Sequence, residues 1–438
     1  MSARSFRALT RSPQQKLRGA ATLVALTVIA ACSTDKPGPT ALRQSAAESQ
    51  GVALASGLAS PVWQLKARDL VSAANLTPVQ AAHIYPIMSV AQYLAVQEAE
   101  AAAGANSNDS PGNEAGGRNR LETDRGAVAG ASVVALSYSF PASASALEAL
   151  VTDQANAGPG GVHPAFAAGE AIGRAVGAQI VARTIADHFN DVNVAVPPVG
   201  PEFWTSSAVP AVIVDGGQLK GVTPWFITSS DQFKPAPPPA FGGPEFNAAL
   251  AQIRAYSDLP SNDPVRIEQV RIATFWALSK GTPTTPGFWL SVPTDSGWVA
   301  AHGMSERETT HMYALASATM FDAQIGCWDE KLTAWLIRPW RADPAIRTVA
   351  AVGKPNHPSY PSGHSCLSSS AARVLGAFFP EKATQLDRMA EQAGLSRMYA
   401  GIHYSFDVTA GQILGRSTAA FILAADASGR SVLTPPTN

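Results

Sequence analysis

Ile84, Ile87, Met88, Ala91, Tyr93 and Leu94 recur at the three-and-four spacing of one helical face. They predict a helix over 78–103, with Thr77 as cap, Pro78 at the first position and Pro86 as a kink point. Ile172, Val176, Ile180, Ala182 and Ile185 repeat the pattern over 166–190. Further helical stretches are predicted at 123–138, 143–156, 244–257, 263–280, 305–326, 343–352, 363–379, 380–394 and 404–425. Strand signals are few and short, 211–214 being one. Segment 106–117 is polar and Gly-rich, a surface loop. Between 197 and 243 the prolines, including the run 237–239, exclude long helices. Trp204, Trp225, Phe226, Phe233 and Phe241 are interleaved with them, as in an ordered loop wrapped on a core. The pattern describes an all-α chain with little or no β. It has one domain over 62–430, long enough that two fused helical bundles are expected.

The first 31 residues stand apart. Arg4, Arg7, Arg11, Lys16 and Arg18 precede an apolar or small-residue run, 19–31, too short to span a bilayer comfortably. This is the layout of a secretory signal. Its end, Val28-Ile29-Ala30-Ala31-Cys32-Ser33, resembles the lipobox of bacterial lipoproteins, in which the cysteine is lipidated; a plain signal cleaved after an Ala-x-Ala-like site is the other reading. The expectation is an exported protein, lipid-anchored through Cys32 in a bacterial envelope, with 32–61 as a flexible tether. Ser33 after the cysteine points to the outer membrane, by resemblance only. No apolar stretch beyond residue 31 reaches 18 residues, so the anchor is the expected membrane contact.

Charge sharpens this picture. Across 438 residues, 32 Lys+Arg face 33 Asp+Glu, a balance without the basic excess of a nucleic-acid surface. The leader carries five of those cations and no acid, so the remainder is acidic by six. Three cysteines cannot build a disulfide framework.

Against that acidic body, cations gather near the C-terminus. Lys331 and Arg338 lie seven apart, two turns if on one helix. Pro361-Ser362-Gly363-His364 opens a predicted helix, where Ser362 caps and Gly363 lets a ligand approach unpaired amides. Arg397 follows Ser396, and His403 and Asp407 lie four apart, so that the carboxylate can orient the imidazole. Each segment alone reads as a solvated face, a capped helix or a chance pair. Together they supply three cations, a helix N-terminus, two histidines and a carboxylate, a set suited to a tetrahedral oxyanion such as phosphate or vanadate.

The spacing K-x6-R-P, P-S-G-H and S-R-x5-H-x3-D resembles the signature of a superfamily. It joins type 2 phosphatidic-acid phosphatases, bacterial class A acid phosphatases and vanadium-dependent haloperoxidases. All eleven fixed positions are present, separated by 21 and 31 residues. The resemblance implies haloperoxidase/acid-phosphatase-type helical bundles with a signature core over 328–425. It implies that Lys331, Arg338, Ser362, Gly363 and Arg397 bind the oxyanion oxygens. His364 would be the acid/base, His403 either the phosphorylated nucleophile or the axial vanadium ligand, and Asp407 the group that steadies it.

The chain is longer than class A phosphatases, and softer upstream matches at Gly173-Arg174-Ala175, Gln232-Phe233-Lys234-Pro235, Phe275-Trp276 and Pro286-Gly287 resemble the haloperoxidase branch. On that branch vanadate is the cofactor and hydrogen peroxide and halide are the substrates. On the phosphatase branch a phosphomonoester is the substrate and no cofactor is needed. A third reading is a lipoprotein that only binds an oxyanion. Trp328 and His357 are candidates for a halide or substrate pocket, since chloride-oxidising members carry Trp at the first place and bromide-oxidising members His at the second; core packing and a loop hydrogen bond are their structural readings. Cys327 and Cys366 flank the signature, as thiols or as a disulfide pair. An oligomer is compatible with the resemblance, but no interface is legible.

Overall fold

The computed structural model describes residues 57–105, 114–157 and 162–434. The leader, Cys32 and the tether up to residue 56 lie outside the described residues. Twelve helices of eight residues or more occur among them: α1 (Ser60–Ala73), α2 (Pro78–Ala105), α3 (Glu114–Ser139), α4 (Ala144–Asn156), α5 (Pro164–Ile185), α6 (Pro244–Asp258), α7 (Pro264–Phe275), α8 (Thr284–Asp295), α9 (Glu306–Ala334), α10 (Gly363–Phe378), α11 (Ala383–Tyr399) and α12 (Ser405–Ala427). The one β pairing among the described residues is an isolated bridge between Phe203 and Leu336, and the strand expected at 211–214 is absent.

Local chemistry explains where several helices begin. Thr77 and Gln80 close a reciprocal cap on α2, with Gln80 N–H on Thr77 Oγ1 at 3.2 Å and Thr77 N–H on Gln80 Oε1 at 3.0 Å. Ser305 and Glu308 do the same for α9. Asp263 caps α7 through Val265 N–H at 2.7 Å.

Two bundles form. α2, α3 and α5 pack on one another in the N-terminal half, and α9, α10, α11 and α12 in the C-terminal half. The long helix α9 contacts α2 on one side and α10 and α12 on the other, so the bundles share one hydrophobic core running from Leu58 to Leu433. α3 and α5 meet at backbone distance: a Cβ on Gly169 would stand 1.9 Å from Thr123 O. α10 and α12 approach as closely, since a Cβ on Gly415 would meet Cys366 O at 2.2 Å. The Ser362 N–H bond to Asp407 O, 2.9 Å, then sets the starts of both helices side by side, which is where signature residues sit.

Several expectations are corrected. The body begins before residue 62: Ala59 and Ser60 are buried, and their N–H groups turn to the Glu306 carboxylate. Segment 343–352 is a loop with one 3-10 turn (Ala350–Val352), because Arg347 N–H and Val349 N–H bond Ser257 Oγ and Ala400 O rather than a helix of their own. α8 forms despite Pro293, its residues Thr284 to Thr294 being buried in the core. α12 is long and apolar enough to cross a membrane, unlike what the run-length reading expected; it is the core helix that carries Asp407, and α10 covers it.

Candidate active site

Lys331 lies in the last turn of α9, fully buried. Its ammonium donates to Pro358 O and Ser359 O, each at 3.0 Å, and to Pro361 O. One cation thus gathers three carbonyls of the loop that leads into α10. Arg338 is not on the same helix, contrary to the two-turn expectation. α9 ends at Ala334, Trp335 takes a left-handed conformation (φ 48°), and Arg338 sits extended before Pro339. A residue that precedes proline is pushed out of the helical region. Arg338 Nη1 donates to Ile402 O at 2.8 Å and to His403 Nε2 at 2.9 Å, its Nη2 to His357 Nδ1 at 3.0 Å, and its Nε to His357 O at 3.0 Å. One guanidinium therefore bridges two imidazoles.

His403 also differs from the expected helix face: it precedes α12, in the turn before the cap Tyr404. Asp407, the third residue of α12, turns back toward that turn. Its Oδ2 accepts from Tyr404 N–H (3.0 Å), Ser359 Oγ (2.5 Å) and His403 Nδ1 (2.8 Å). Arginine can only donate, so His403 Nε2 accepts and Nδ1 carries the proton, a tautomer assigned from its partners. A lone pair on Nε2 is what a nucleophile or a ligand needs.

Ser362 caps α10, accepting from Ser365 N–H at 3.4 Å, while its own N–H bonds Asp407 O at 2.9 Å. The N–H groups of Gly363 and His364 have no acceptor among the described residues, as expected at a helix start. His364 Nε2 lies 2.9 Å from Trp276 O and 3.3 Å from Thr285 Oγ1. A carbonyl only accepts, so Nε2 bears the proton and Nδ1 is left open. Arg397 donates to Ser396 Oγ and Ala273 O, both at 2.9 Å.

These groups border a cavity of about 400 Å³. Gly363, His364, Arg397 and His403 lie in its wall, and so do Trp328 and His357, whose rings are 5.0 Å apart. Trp328 Nε1 donates to Asp215 O at 2.7 Å. Lys331, Arg338 and Ser362 stand behind the wall, fully buried.

Burial dominates the electrostatics. It pushes Lys331 down to about 8 and Arg338 and Arg397 down to about 9. It lifts the Asp407 carboxyl to about 6. The imidazoles of His357, His364 and His403 are held well below their ordinary range, first by burial and then by the neighbouring cations. Three buried cations thus share the centre with one carboxylate.

Other wall residues lay outside the motif reading: Thr285, Asp215, Lys280 and Lys354. Phe275-Trp276 is a sequence match, but the part that matters is the Trp276 carbonyl, which no side-chain motif encodes. Cys327 and Cys366 are free, buried thiols in this structure.

Comparison with known proteins accords with this geometry: residues 309–428 match the PAP2 superfamily. That match covers 120 of the 438 residues, in the C-terminal bundle. A non-specific acid phosphatase of Salmonella typhi is 44% identical over 57 residues, 13% of this chain and 23% of that one. An acid phosphatase of Zymomonas mobilis subsp. mobilis is 28% identical over 188 residues, 41% of this chain and 64% of that one. The chain therefore spans about a quarter of the length of the Salmonella relative and under two thirds of the Zymomonas one. Among solved structures, a bacterial vanadium-dependent iodoperoxidase superposes with a TM-score of 0.66 at 23% identity, over 83% of this chain and 94% of that one. The apo form of a bacterial vanadium-dependent chloroperoxidase gives 0.60 at 14% identity, over 80% and 95%. Likeness at that identity establishes the fold, and this chain shares it across both bundles.

Proposed function

We propose that this chain is a vanadate-dependent haloperoxidase of the PAP2 superfamily that oxidises halide, bromide foremost, with hydrogen peroxide. The observation that carries the reading is the His403 imidazole. Asp407 holds the Nδ1 proton, and the Nε2 lone pair meets the buried cations beside a cavity walled by both bundles. The likeness to the iodoperoxidase, which includes the N-terminal bundle, supports it.

The residues present fit vanadate. Three buried cations exceed one buried carboxylate, and the open amides of Gly363 and His364 add donors beside Arg397. His403 Nε2 would ligate the metal, which would exchange Arg338 at that lone pair for the bound anion. When bound, vanadate supplies a Lewis-acidic centre at which hydrogen peroxide is activated toward halide, without a change of metal oxidation state. The protein's own part is positional and protolytic. Arg338 and Arg397 neutralise the oxyanion. Lys331 fixes the 358–361 loop. His364, with Nε2–H on Trp276 O, takes or gives a proton at Nδ1, and its basicity rises once an anion offsets the surrounding cations. His357 places an imidazole against Trp328 at the wall where halide would enter.

The sequence relatives favour a second reading, an acid phosphatase. In it, His403 Nε2 attacks phosphorus, the P–O ester bond breaks, and His364 gives its proton to the leaving alcohol; water then cleaves the phosphohistidine. A paired assay decides between them: bromide-dependent halogenation with vanadate and peroxide, and aryl phosphate hydrolysis without vanadate. We expect halogenation that His403→Ala abolishes. Hydrolysis inhibited by vanadate, with no halogenation, would establish the phosphatase instead.

We also propose export and lipid anchoring through Cys32, on the strength of the cationic leader and the Ala30-Ala31-Cys32 box. Full-length protein expressed in a bacterial host should partition with membranes, and Cys32→Ser should release it; a variant that still partitions would end this reading.

A further inference from the structure

A second cavity, of about 430 Å³, opens between the end of α6, the start of α7 and the loop around 347–350. Two arginines line it, Arg266 and Arg347, with no carboxylate in its wall. Neither arginine forms an ion pair among the described residues. Arg266 is 8% exposed as a residue, so a largely buried arginine lines an open groove without a counter-charge.

Part of each side chain is accounted for by the fold. Arg266 Nη1 donates to Tyr399 O at 2.9 Å and to Gln269 Oε1 at 3.3 Å. Arg347 Nη2 donates to Ser257 O at 2.5 Å. Each thus closes the C-terminal end of a helix, α11 or α6, where cations are favoured. The remainder is not accounted for. Arg266 Nε and Nη2, and Arg347 Nε and Nη1, donate to no protein acceptor among the described residues. The nearest acids in sequence are engaged elsewhere: Glu268 with Arg271, Asp258 and Asp343 with Arg254, Asp263 with the cap of α7. Burial and the neighbouring Arg347 both disfavour the Arg266 charge, so the two like charges are left uncompensated.

The rest of the wall narrows the ligand. Leu259, Ile267, Val270 and Val349 are apolar, and Ser261 and Thr348 bring hydroxyls. We infer that this groove is a second anion-binding site, separate from the His403 cavity, that takes a small organic oxyanion with a compact apolar body. The guanidinium forks would hold the oxyanion, and the aliphatic wall the body. The site backs onto the signature: Tyr399 O and Ala400 O, bonded by Arg266 and by Val349 N–H, lie between Arg397 and His403. It does not depend on which reaction the His403 site performs.

Phenylphosphonate, whose C–P bond resists hydrolysis, is a suitable probe, with benzyl alcohol as the uncharged control. Titration calorimetry on the purified protein should find two equivalents of phenylphosphonate and no binding of benzyl alcohol at matched concentrations. Orthovanadate should displace one equivalent only, the one in the His403 cavity. Arg347→Glu, at an exposed position, should weaken the other at least tenfold and leave the vanadate-displaceable equivalent intact; Arg347→Lys should weaken it less. A single equivalent fully displaced by orthovanadate, a second equivalent indifferent to Arg347→Glu, or equal binding of benzyl alcohol would each overturn the inference. Loss of the displaceable equivalent alone would instead count against the His403 cradle.

Discussion

Asp407 Oδ2 is the point on which the histidine geometry turns. It accepts from a backbone amide, a hydroxyl and the His403 ring, so it fixes the imidazole's angle and its tautomer together. Asn at this position keeps the shape but presents one oxygen and an NH2, which can donate to Nδ1 and strand the proton on Nε2. Asp407→Asn should therefore lower turnover about 10- to 100-fold, the usual cost of losing such a support, with little change in thermal midpoint. Turnover at the wild-type level would show that Arg338 alone sets the tautomer. His357 gives a second test, through pH. Its folded pKa is depressed, so keeping it neutral contributes stability that is present above its ordinary value of 6.5 and lost as pH falls below it, because the unfolded chain then binds the proton that the fold refuses. His357→Gln removes that linkage and can still accept from Arg338. The variant should gain on wild type as pH falls from 6.5, by up to about 1.4 kcal/mol per pH unit. Parallel denaturation midpoints from pH 7 to 5 would contradict the burial argument.

Helix periodicity made most elements legible, and spacing made the cradle legible, but the two failed where tertiary bonds decide. Segment 343–352 has helical composition and is a loop, because Ser257 and Ala400 supply the partners that a helix would have supplied internally. The seven-residue spacing of Lys331 and Arg338 gives a shared face only on one helix, and Arg338-Pro339 already disfavours helix at that residue. Trp276 O, Thr285 and the Arg266–Arg347 groove come from segments far apart in sequence, and no local spacing announces them. Pro293 disfavours α8, yet burial of nearly the whole helix outweighs the backbone bond it forfeits, while Pro286 in the first turn forfeits none. Close helix contacts are equally silent in periodicity. A Cβ at Gly169 would fall on Thr123 O, so Gly169→Ala should force α3 and α5 apart and destabilise the fold by about 1–3 kcal/mol. An unchanged urea midpoint would mean that the helices slide without strain. At the other end, Glu306 collects the first amides of α1 and the Ser60 hydroxyl. Glu306→Ala leaves those donors buried without an acceptor and should cost about 1–3 kcal/mol, read as faster amide exchange in α1 before the rest of the bundle.

For the molecule as a whole, the cradle sits at odds with its surroundings. The chain beyond its leader is acidic by six, yet Lys331, Arg338 and Arg397 are buried together at the junction of the bundles. Burial opposes each of those charges, and Arg338 opposes that of Arg397, so the ligand-free fold carries an electrostatic cost that an oxyanion relieves. The site residues come from the ends of α9, α10, α11 and α12 and from the loops between them, so that relief is felt by the whole C-terminal bundle rather than by one loop. Orthovanadate, or phosphate in its place, should therefore act as a global stabiliser. At about 100 times its dissociation constant, a single-site ligand adds about 2.7 kcal/mol to unfolding. The thermal midpoint should rise with orthovanadate concentration along that logarithmic law, and amide exchange should slow through α9 to α12. Arg397→Ala removes a cation and a wall donor together. It should raise the ligand-free midpoint or leave it unchanged while flattening the concentration dependence, a combination that a merely structural arginine would not give. If Arg397→Ala instead lowers the ligand-free midpoint and keeps the wild-type response to orthovanadate, the three cations are scaffolding, and the oxyanion is held by the helix amides of Gly363 and His364 alone.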